Sequence, residues 1–263
     1  MNISHVEACI RQIHILLDGL GDGGYNEEPR TQQQLDAFWH QLNQLQYCNQ
    51  VQICHLNYQG DDQLHDEYIE LHNRGEISAE LSGWTITSDS PDQVYVFPEG
   101  YQLPAGEKLK VFTQHSRELS FNSHKPIWNN KGDRAVLKNR DGVMTSGWRY
   151  GSSAGEAVVI TGLNYDGKEE RNEGDEFVEL TNLDDCRIDL SLWQLCSERS
   201  GKTFTFEQGS ILEPKQSIRL YTYKSPLEAG EFSFDSPVAI WNNLGGACCL
   251  LDAAGREVAC YHY

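Results

Sequence analysis

The chain contains one sequence pattern twice, at a spacing of about 110 residues. Four blocks recur in the same order: residues 51–58 with 158–165, 67–73 with 176–182, 81–84 with 190–193, and 127–130 with 240–243. A repeat of this length corresponds to a whole domain, because solenoid units span only about 20–50 residues. The sequence therefore predicts an N-terminal segment, residues 1–48, and two tandem domains of one family at residues 51–150 and 157–263. We call these domains the first copy and the second copy.

In both copies the apolar residues follow the two-residue period of β-strands. Short apolar runs are separated by clusters of Gly, Pro, Asn and Asp, a pattern typical of an all-β sandwich. Trp84 and Trp193 begin equivalent strands, and we expect both indoles in the core because an aromatic side chain buries a large area. The segment Gly151–Gly155 reads Gly-Ser-Ser-Ala-Gly, which predicts a short flexible linker. Because the linker has only a few residues, we expect two sandwiches that lie near each other and share no continuous sheet.

Residues 1–48 differ from the rest of the chain, because their apolar residues recur at helical spacing. Two amphipathic helices joined by a glycine-rich loop make a predicted helical hairpin. Short isolated helices are marginal in water, so their apolar faces need a surface to pack against. The predicted partner-binding residues are Ile10, Ile13, Leu17, Phe38, Leu42 and Leu45. The candidate surfaces for this apolar face are the first copy, a second molecule of this chain and a different protein.

The repeated motifs resemble those of the lamin tail domain, an immunoglobulin-like β sandwich found in nuclear lamins and widely in bacterial proteins. The resemblance rests on an N-Y opening before an acidic loop, an E-[YF]-[VI]-E-L-x-N strand, an L-S-x-W strand, an F-x-x-G-x-x-L-x-[PA] segment and an I-W-N-N…G…L…D-x-x-G ending. The second copy departs at Leu192, where the first has Gly83, and at Lys215, where the first has Gly106. Both departures fall in turns.

The resemblance covers residues 51–150 and 157–263 and implies a mainly β fold of two tandem immunoglobulin-like β sandwiches. The short helical hairpin predicted from periodicity precedes them and lies outside the resemblance. The resemblance also implies a non-enzymatic function, either binding another protein or self-assembly as a scaffold or adaptor. Lamin tails are linked to protein and DNA contacts. The net charge of −18 argues against a nucleic-acid partner, because binding to phosphates requires clustered Lys and Arg.

The sequence predicts a cytoplasmic protein without a membrane partner. The N-terminus lacks the pattern of a secretory signal, and no apolar run approaches the length of a membrane-spanning helix. The eight cysteines do not recur at equivalent positions in the two copies, and no C-x-x-C pair is present. We therefore expect reduced cysteines that pack as small apolar side chains.

The acidic loop after the opening strand of each copy is the best candidate for a metal site. In the second copy the candidate ligands are Asn164, Asp166, Glu173 and Asp175. Carboxylate and amide oxygens are the ligands that Ca²⁺ prefers, although the spacing does not match the loop of helical calcium sites. We favour the interpretation of the loop as a solvated hairpin tip that binds no metal, with calcium binding as the alternative, and we expect no cofactor.

Catalytic motifs are absent from the sequence: it has no G-x-S-x-G, no H-E-x-x-H and no phosphate-binding loop. No histidine is duplicated between the copies, although an active site inherited by both would leave paired residues. We therefore expect a protein that is not an enzyme. Two alternatives remain open, a calcium-dependent adhesion or scaffold module and a metal-dependent hydrolase.

Overall fold

A computed structural model of the protein describes residues 50–59, 66–90, 92–114, 119–169 and 173–263. The predicted helical hairpin, with its candidate residues Ile10, Ile13, Leu17, Phe38, Leu42 and Leu45, lies outside the described residues. In the described part of the chain, no helix has the length and apolarity needed to span a bilayer.

The described part of the first copy consists of short strands. They are β1 Val51–Asn57, β2 Tyr68–Asn73, β3 Ala79–Glu80, β4 Thr85–Thr87, β5 Val94–Val96, β6 Gln102–Leu103, β7 Lys108–Phe112, β8 Gly132–Lys138 and β9 Met144–Tyr150.

The second copy follows a short helix, α1 Gly151–Gly155. Its strands are β10 Val158–Asn164, β11 Phe177–Asn182, β12 Arg187–Asp189, β13 Gln194–Ser197, β14 Thr203–Thr205, β15 Ile211–Leu212, β16 Ser217–Tyr221, β17 Glu231–Ser233, β18 Ala247–Leu251 and β19 Glu257–His262.

The two copies share one topology, as the repeat predicts. The order β1-β2-β7 in the first copy corresponds to β10-β11-β16 in the second, where β17 adds a parallel strand. The order β5-β4-β8-β9 corresponds to β14-β13-β18-β19, and the pair β3-β6 corresponds to β12-β15. Even the irregularity in the opening strand recurs, because the register shifts after Ile53 in β1 and after Ile160 in β10.

Each copy has its own apolar core, formed by the inward residues of its strands. Trp84 and Trp193 lie at equivalent positions and are both 1% exposed, which confirms their predicted placement. In β2 the residues Ile69 and Leu71 are fully buried, while the intervening side chains face outward. The strand period thus separates a core set from a surface set in each copy.

The copies lie next to each other, as the short linker predicts, but the expectations of a flexible linker and of two sandwiches without a continuous sheet were wrong. Gly151–Gly155 forms the helix α1, and its Ser153 and Ala154 are buried. Strand β9 of the first copy pairs in parallel with β12 of the second, so one six-stranded sheet, β15-β12-β9-β8-β4-β5, crosses from copy to copy. An edge strand presents unpaired N–H and C=O groups, and the neighbouring copy satisfies them here.

The expectation that all cysteines are reduced was also wrong. Cys249 in β18 and Cys260 in β19 form a disulfide, with Cα atoms 4.2 Å apart. The two residues lie directly opposite each other in the antiparallel register. A pairing of this kind depends on strand register, which the spacing of cysteines in the sequence does not reveal. Among the described cysteines, Cys54, Cys186, Cys196 and Cys248 have free thiols.

Candidate protein-binding surface

The first glutamate of the repeated E-[YF]-[VI]-E-L-x-N motif is structural. Glu67 is buried, and its Oε2 accepts hydrogen bonds from the Ile127 backbone N–H at 3.0 Å and from a threonine hydroxyl at 2.8 Å. In the second copy Glu176 Oε2 accepts the same bonds, from Ile240 N at 3.0 Å and a threonine hydroxyl at 2.7 Å. Burial raises the pKa of both carboxyls, against the opposing effect of these hydrogen bonds. Each glutamate therefore fixes the Ile-Trp segment of its own copy.

The asparagine that ends this motif is also structural. The Asn73 side-chain amide donates to the Ile77 carbonyl at 2.8 Å and to the Leu103 carbonyl at 2.9 Å, which ties the turn before β3 and the end of β6 to β2. Asn182 makes the equivalent bonds, to the Cys186 carbonyl at 2.8 Å and the Leu212 carbonyl at 3.3 Å. The fold thus explains the recurrence of this asparagine.

The fold does not require the other two polar or aromatic residues of the motif, Tyr68 and Glu70 in the first copy. Both lie on the solvent side of β2. Glu70 and Tyr68 point outward, and Lys110 on the neighbouring strand β7 contacts both. The Lys110 ammonium lies 3.9 Å from the centroid of the Tyr68 ring and 3.8 Å from the Glu70 carboxylate. Phe112 completes the group, with its ring centroid 5.7 Å from that of Tyr68.

The second copy repeats this group with different side chains of the same chemistry. Phe177 replaces the tyrosine, and the Arg219 guanidinium lies 4.6 Å from its centroid. Arg219 Nε also lies 2.9 Å from the Glu179 carboxylate. Tyr221 lies 5.6 Å from Phe177, and the angle between the rings is 54°, as in the first copy. We call these two groups the outer faces of the copies: Tyr68, Glu70, Lys110 and Phe112 in the first, and Phe177, Glu179, Arg219 and Tyr221 in the second.

The outer faces combine apolar rings with charges that remain accessible to a partner. The side chains of Lys110 and Arg219 are 41% and 48% exposed, while the rings beneath them are half-buried. Glu70 also bonds to Lys108 at 2.9 Å, and its pKa is lowered because this bond, with that from the Cys54 thiol, outweighs the effect of burial. Glu70 is therefore ionised and paired with its neighbouring lysines at neutral pH.

The acidic loop of the second copy uses several candidate ligands to hold its own backbone. Asp175 accepts hydrogen bonds from the backbone N–H groups of Lys168 and Glu169, and the Asn164 amide donates to the Asp175 carbonyl at 3.1 Å. These backbone bonds outweigh burial and lower the pKa of Asp175. In the first copy the Asn57 side-chain amide makes the equivalent hydrogen bond to the Asp66 backbone carbonyl, at 2.6 Å.

The remaining candidates, Asp166 and Glu173, lie in the same loop without gathering around one point. Asp166 accepts a hydrogen bond from Asn243 at 3.4 Å, and Glu173 adopts a left-handed backbone conformation with φ of 49°. Among the described residues, the one group of three acidic, thiol or imidazole side chains close enough to share a metal ion lies on β18 and β19 of this copy. The interpretation of the loop as a hairpin tip that binds no metal stays a prediction, with calcium binding as its alternative.

Sequence reasoning missed the outer faces because half of each face lies on a strand outside the recognised motifs. The runs Lys108–Phe112 and Ser217–Tyr221 carry the base and the second ring. Their alternation of buried and exposed residues is the signal that could have found them, since equivalent outward positions hold Lys110 and Arg219.

Comparison with solved structures gives only distant likenesses. The red sea bream transglutaminase is 9% identical over 89% of this chain and 34% of its own, with a TM-score of 0.26. The YadV chaperone is 13% identical over 74% of this chain and 90% of its own, with a TM-score of 0.23. The exo-chitosanase CsxA of Amycolatopsis orientalis is 11% identical over 82% of this chain and 26% of its own, with a TM-score of 0.27. The chain thus spans about a third of the first and a quarter of the third.

Comparison with protein families is decisive where the structural likenesses are not. None of the curated proteins matches the sequence. The family model of the lamin tail domain matches twice, at residues 46–152 and 151–263, and these ranges contain both sets of repeated motifs. The chain therefore belongs to the lamin tail domain family, of which it carries two tandem copies.

Proposed function

We propose that this chain is a non-enzymatic protein-binding module that contacts its partner through the outer faces of its two copies. The observation that carries this proposal is that the same ring, acid, base and second ring stand in the same geometry in both copies. The identities differ within each class, Tyr68 against Phe177 and Lys110 against Arg219, so the chemistry of the face recurs rather than the particular residue.

Stability alone gives a weak reason for that recurrence. Cross-strand pairs on an exposed sheet contribute only about 0.2–1 kcal/mol each. Other exposed positions do not keep their chemistry between the copies. Val94 and Val96 of β5 correspond to Thr203 and Thr205 of β14, so apolar side chains are replaced by polar ones. An outward group that keeps its chemistry while other outward positions change is consistent with recognition of a partner.

The composition of the outer faces is that of a binding hot spot. Tyr, Trp and Arg dominate the energetic centres of protein interfaces, because large rings bury area and guanidinium groups form directed bonds. The net charge of −18 adds long-range attraction to a partner with a basic surface. The proposed partner is thus a protein whose basic surface surrounds an apolar centre.

A face-directed substitution tests this proposal in the full chain. The double variant Tyr68→Thr with Phe177→Thr removes the central ring of both faces, and the control Val94→Thr with Val96→Thr changes two valines elsewhere on the surface. Each protein is used to capture partners from the native host, with capture measured by quantitative mass spectrometry. A partner lost by the first variant and retained by the control supports the proposal. Equal capture by both variants contradicts it.

The predicted N-terminal helices support a second mode of assembly, in which Ile10, Ile13, Leu17, Phe38, Leu42 and Leu45 join two molecules of this chain. Deletion of residues 1–48, followed by light scattering, separates the alternatives. A dimer that becomes a folded monomer supports self-assembly. A full-length monomer that becomes insoluble on deletion supports docking of the helices on the first copy.

The alternative function is a calcium-dependent adhesion or scaffold module that binds the ion through the acidic loop of the second copy. Calorimetry with Ca²⁺ on chelator-treated protein should show no binding if the loop is held by its own hydrogen bonds. Micromolar binding that disappears when Asp166 and Asp175 are changed to Asn would instead favour the calcium-dependent adhesion or scaffold module.

A further inference from the structure

Three cysteines stand side by side on one surface of the second copy. Cys196 of β13 pairs with Cys249 of β18, which pairs in turn with Cys260 of β19. Residues paired across neighbouring strands point to the same side of a sheet, so the three sulfurs share one side. The Cys196 thiol lies 3.3 Å from the Cys249 carbonyl oxygen, which places it beside the disulfide.

The shared side is the outward one. Cys196, Cys249 and Cys260 are half-buried, whereas Leu195 and Leu250 on the same strands are fully buried in the core. The three sulfurs are therefore reachable from solvent.

A carboxylate completes the group. An oxygen of the exposed Glu257 and the sulfurs of Cys249 and Cys260 all lie within 4.8 Å of one another. Two sulfurs and one carboxylate oxygen at this separation can be bridged by a single ion, since metal–sulfur bonds are about 2.3 Å and metal–oxygen bonds about 2.0–2.2 Å long for zinc.

The fold does not impose this ligand set. In the first copy the register places Thr87, Val136 and Gly147 where the second has the three cysteines, and Met144 where it has Glu257. None of these four offers a thiol or a carboxylate. The ligand set is therefore specific to the second copy.

We propose that Cys249, Cys260 and Glu257 form a binding site for a thiophilic divalent metal ion such as Zn²⁺ when the disulfide is reduced. Zinc accepts thiolate and carboxylate ligands in a tetrahedral arrangement, and the adjacent Cys196 is the residue placed to supply a fourth ligand. The disulfide removes both Cys249 and Cys260 as thiolate ligands and leaves the Glu257 carboxylate and the Cys196 thiol. Reduction followed by metal binding thus replaces the covalent bond between β18 and β19 with a metal bridge between the same strands.

Formation of the site requires a dithiol reductant. The dithiol transfers two electrons and two protons to the disulfide, becomes a cyclic disulfide itself and leaves two thiols at Cys249 and Cys260. Binding of the metal then releases both thiol protons, because thiolates are the ligands. Metal binding should therefore strengthen as pH rises.

Titration of the full chain with Co²⁺ tests the proposal, because cobalt reports thiolate ligation through charge-transfer absorption. The protein is reduced, freed of excess reductant and titrated alongside an oxidised sample. We expect one equivalent of Co²⁺ with thiolate absorption in the reduced protein, displaced by Zn²⁺, and none in the oxidised protein. Reduced, folded protein without this absorption would overturn the proposal, as would equal absorption in the oxidised sample.

Matched variants locate the ligands. Cys249→Ser with Cys260→Ser should abolish the absorption, and Glu257→Gln should weaken the affinity by about tenfold or more. Cys196→Ser should change the absorption intensity if its sulfur is the fourth ligand. Cys54→Ser, a half-buried thiol on the first copy, serves as the control and should leave the titration unchanged. Circular dichroism establishes that each variant is folded. Undiminished absorption in the double serine variant would place the metal elsewhere and overturn the assignment.

Discussion

The two copies use one equivalent strand differently, β9 in the first and β19 in the second. The edge of β9 pairs with β12 of its neighbour, and Gly147 lies so close to Cys186 that an added Cβ would overlap the thiol. The second copy has Cys260 at the position of Gly147, and there the side chain joins a disulfide. One fold thus uses the same strand for a junction between copies in one case and for sulfur chemistry in the other.

Charged side chains make the junction specific. The Arg187 guanidinium donates to the Ile53 carbonyl at 2.8 Å and to Glu213 at 2.8 Å, and it also bonds to the Gln52 side chain. Arg149 Nε lies 2.6 Å from the Asp184 carboxylate.

The corresponding residues of the other copy cannot form these bonds. Ser78 stands where the second copy has Arg187, and Gly75 stands where it has Asp184. His262 takes the place of Arg149. A second molecule of this chain could therefore not add head to tail through the same contacts, so the junction is specific to these two copies.

The largest expected effect comes from the equivalent core tryptophans. Trp84→Ala and Trp193→Ala should each lower the free energy of unfolding by about 3–5 kcal/mol, because each removes a fully buried indole. Urea denaturation of the two variants measures the comparison. An unchanged midpoint in either variant would show that its copy does not rely on this residue.

The junction residue Arg187 should have the next largest effect. Arg187→Met leaves the Ile53 carbonyl without its charged donor, and we expect a loss of about 1–3 kcal/mol in unfolding free energy. Ser78→Ala, at the equivalent position of the first copy, should change stability by no more than about 0.5 kcal/mol, since its bond to Gln102 is exposed. Equal losses in the two variants would contradict the asymmetry.

The buried glutamates should give both copies the same pH dependence. Burial raises the pKa of Glu67 and Glu176 above that of the unfolded chain, so their protonated forms favour folding. This contribution is complete below the unfolded pKa of about 4.3 and is lost as pH rises through the folded pKa, with a slope of at most about 1.4 kcal/mol per pH unit for each carboxyl. Glu67→Gln with Glu176→Gln should flatten the decline in unfolding free energy above pH 4, measured by urea denaturation across pH. A decline of undiminished slope would assign it to other groups.

The turn departures of the second copy should have the smallest effect. Leu192 and Lys215 adopt φ of 62° and 59°, where the first copy has Gly83 and Gly106 at 71°. A side chain in this region costs about 1 kcal/mol, so Leu192→Gly should raise the unfolding free energy by up to that amount. Gly83→Ala should lower it by a similar amount. A melting temperature that moves in the opposite direction in either variant would show that the turn is not strained.

The repeat alone could predict the fold of each copy. The two-residue period of the strands predicted which side chains face the core. The recurrence of Trp84 as Trp193 indicated that both indoles are buried in it. The junction could not be predicted in the same way, because the close approach at Gly147 and the bonds of Arg187 have no counterpart in the other copy. A repeat carries no information about the residues that differ between its copies.

The outer faces and the group of three neighbouring cysteines could be predicted only in part from the sequence, for a related reason. Tyr68 and Glu70 lie inside a recognised motif, but Lys110 contacts them only through the pairing of β2 with β7. Cys196, Cys249 and Cys260 meet through the register of three strands, although 64 residues separate the first from the last. Long-range register, unlike local periodicity, cannot be read from one sequence.

Differential scanning calorimetry tests the continuous sheet most directly. If β9 and β12 join the copies into one structural unit, the full chain should unfold in a single transition whose calorimetric and van't Hoff enthalpies agree. Gly147→Val, which places a side chain against Cys186, should then split the unfolding into two transitions. Two resolved transitions in the unaltered protein would contradict the account.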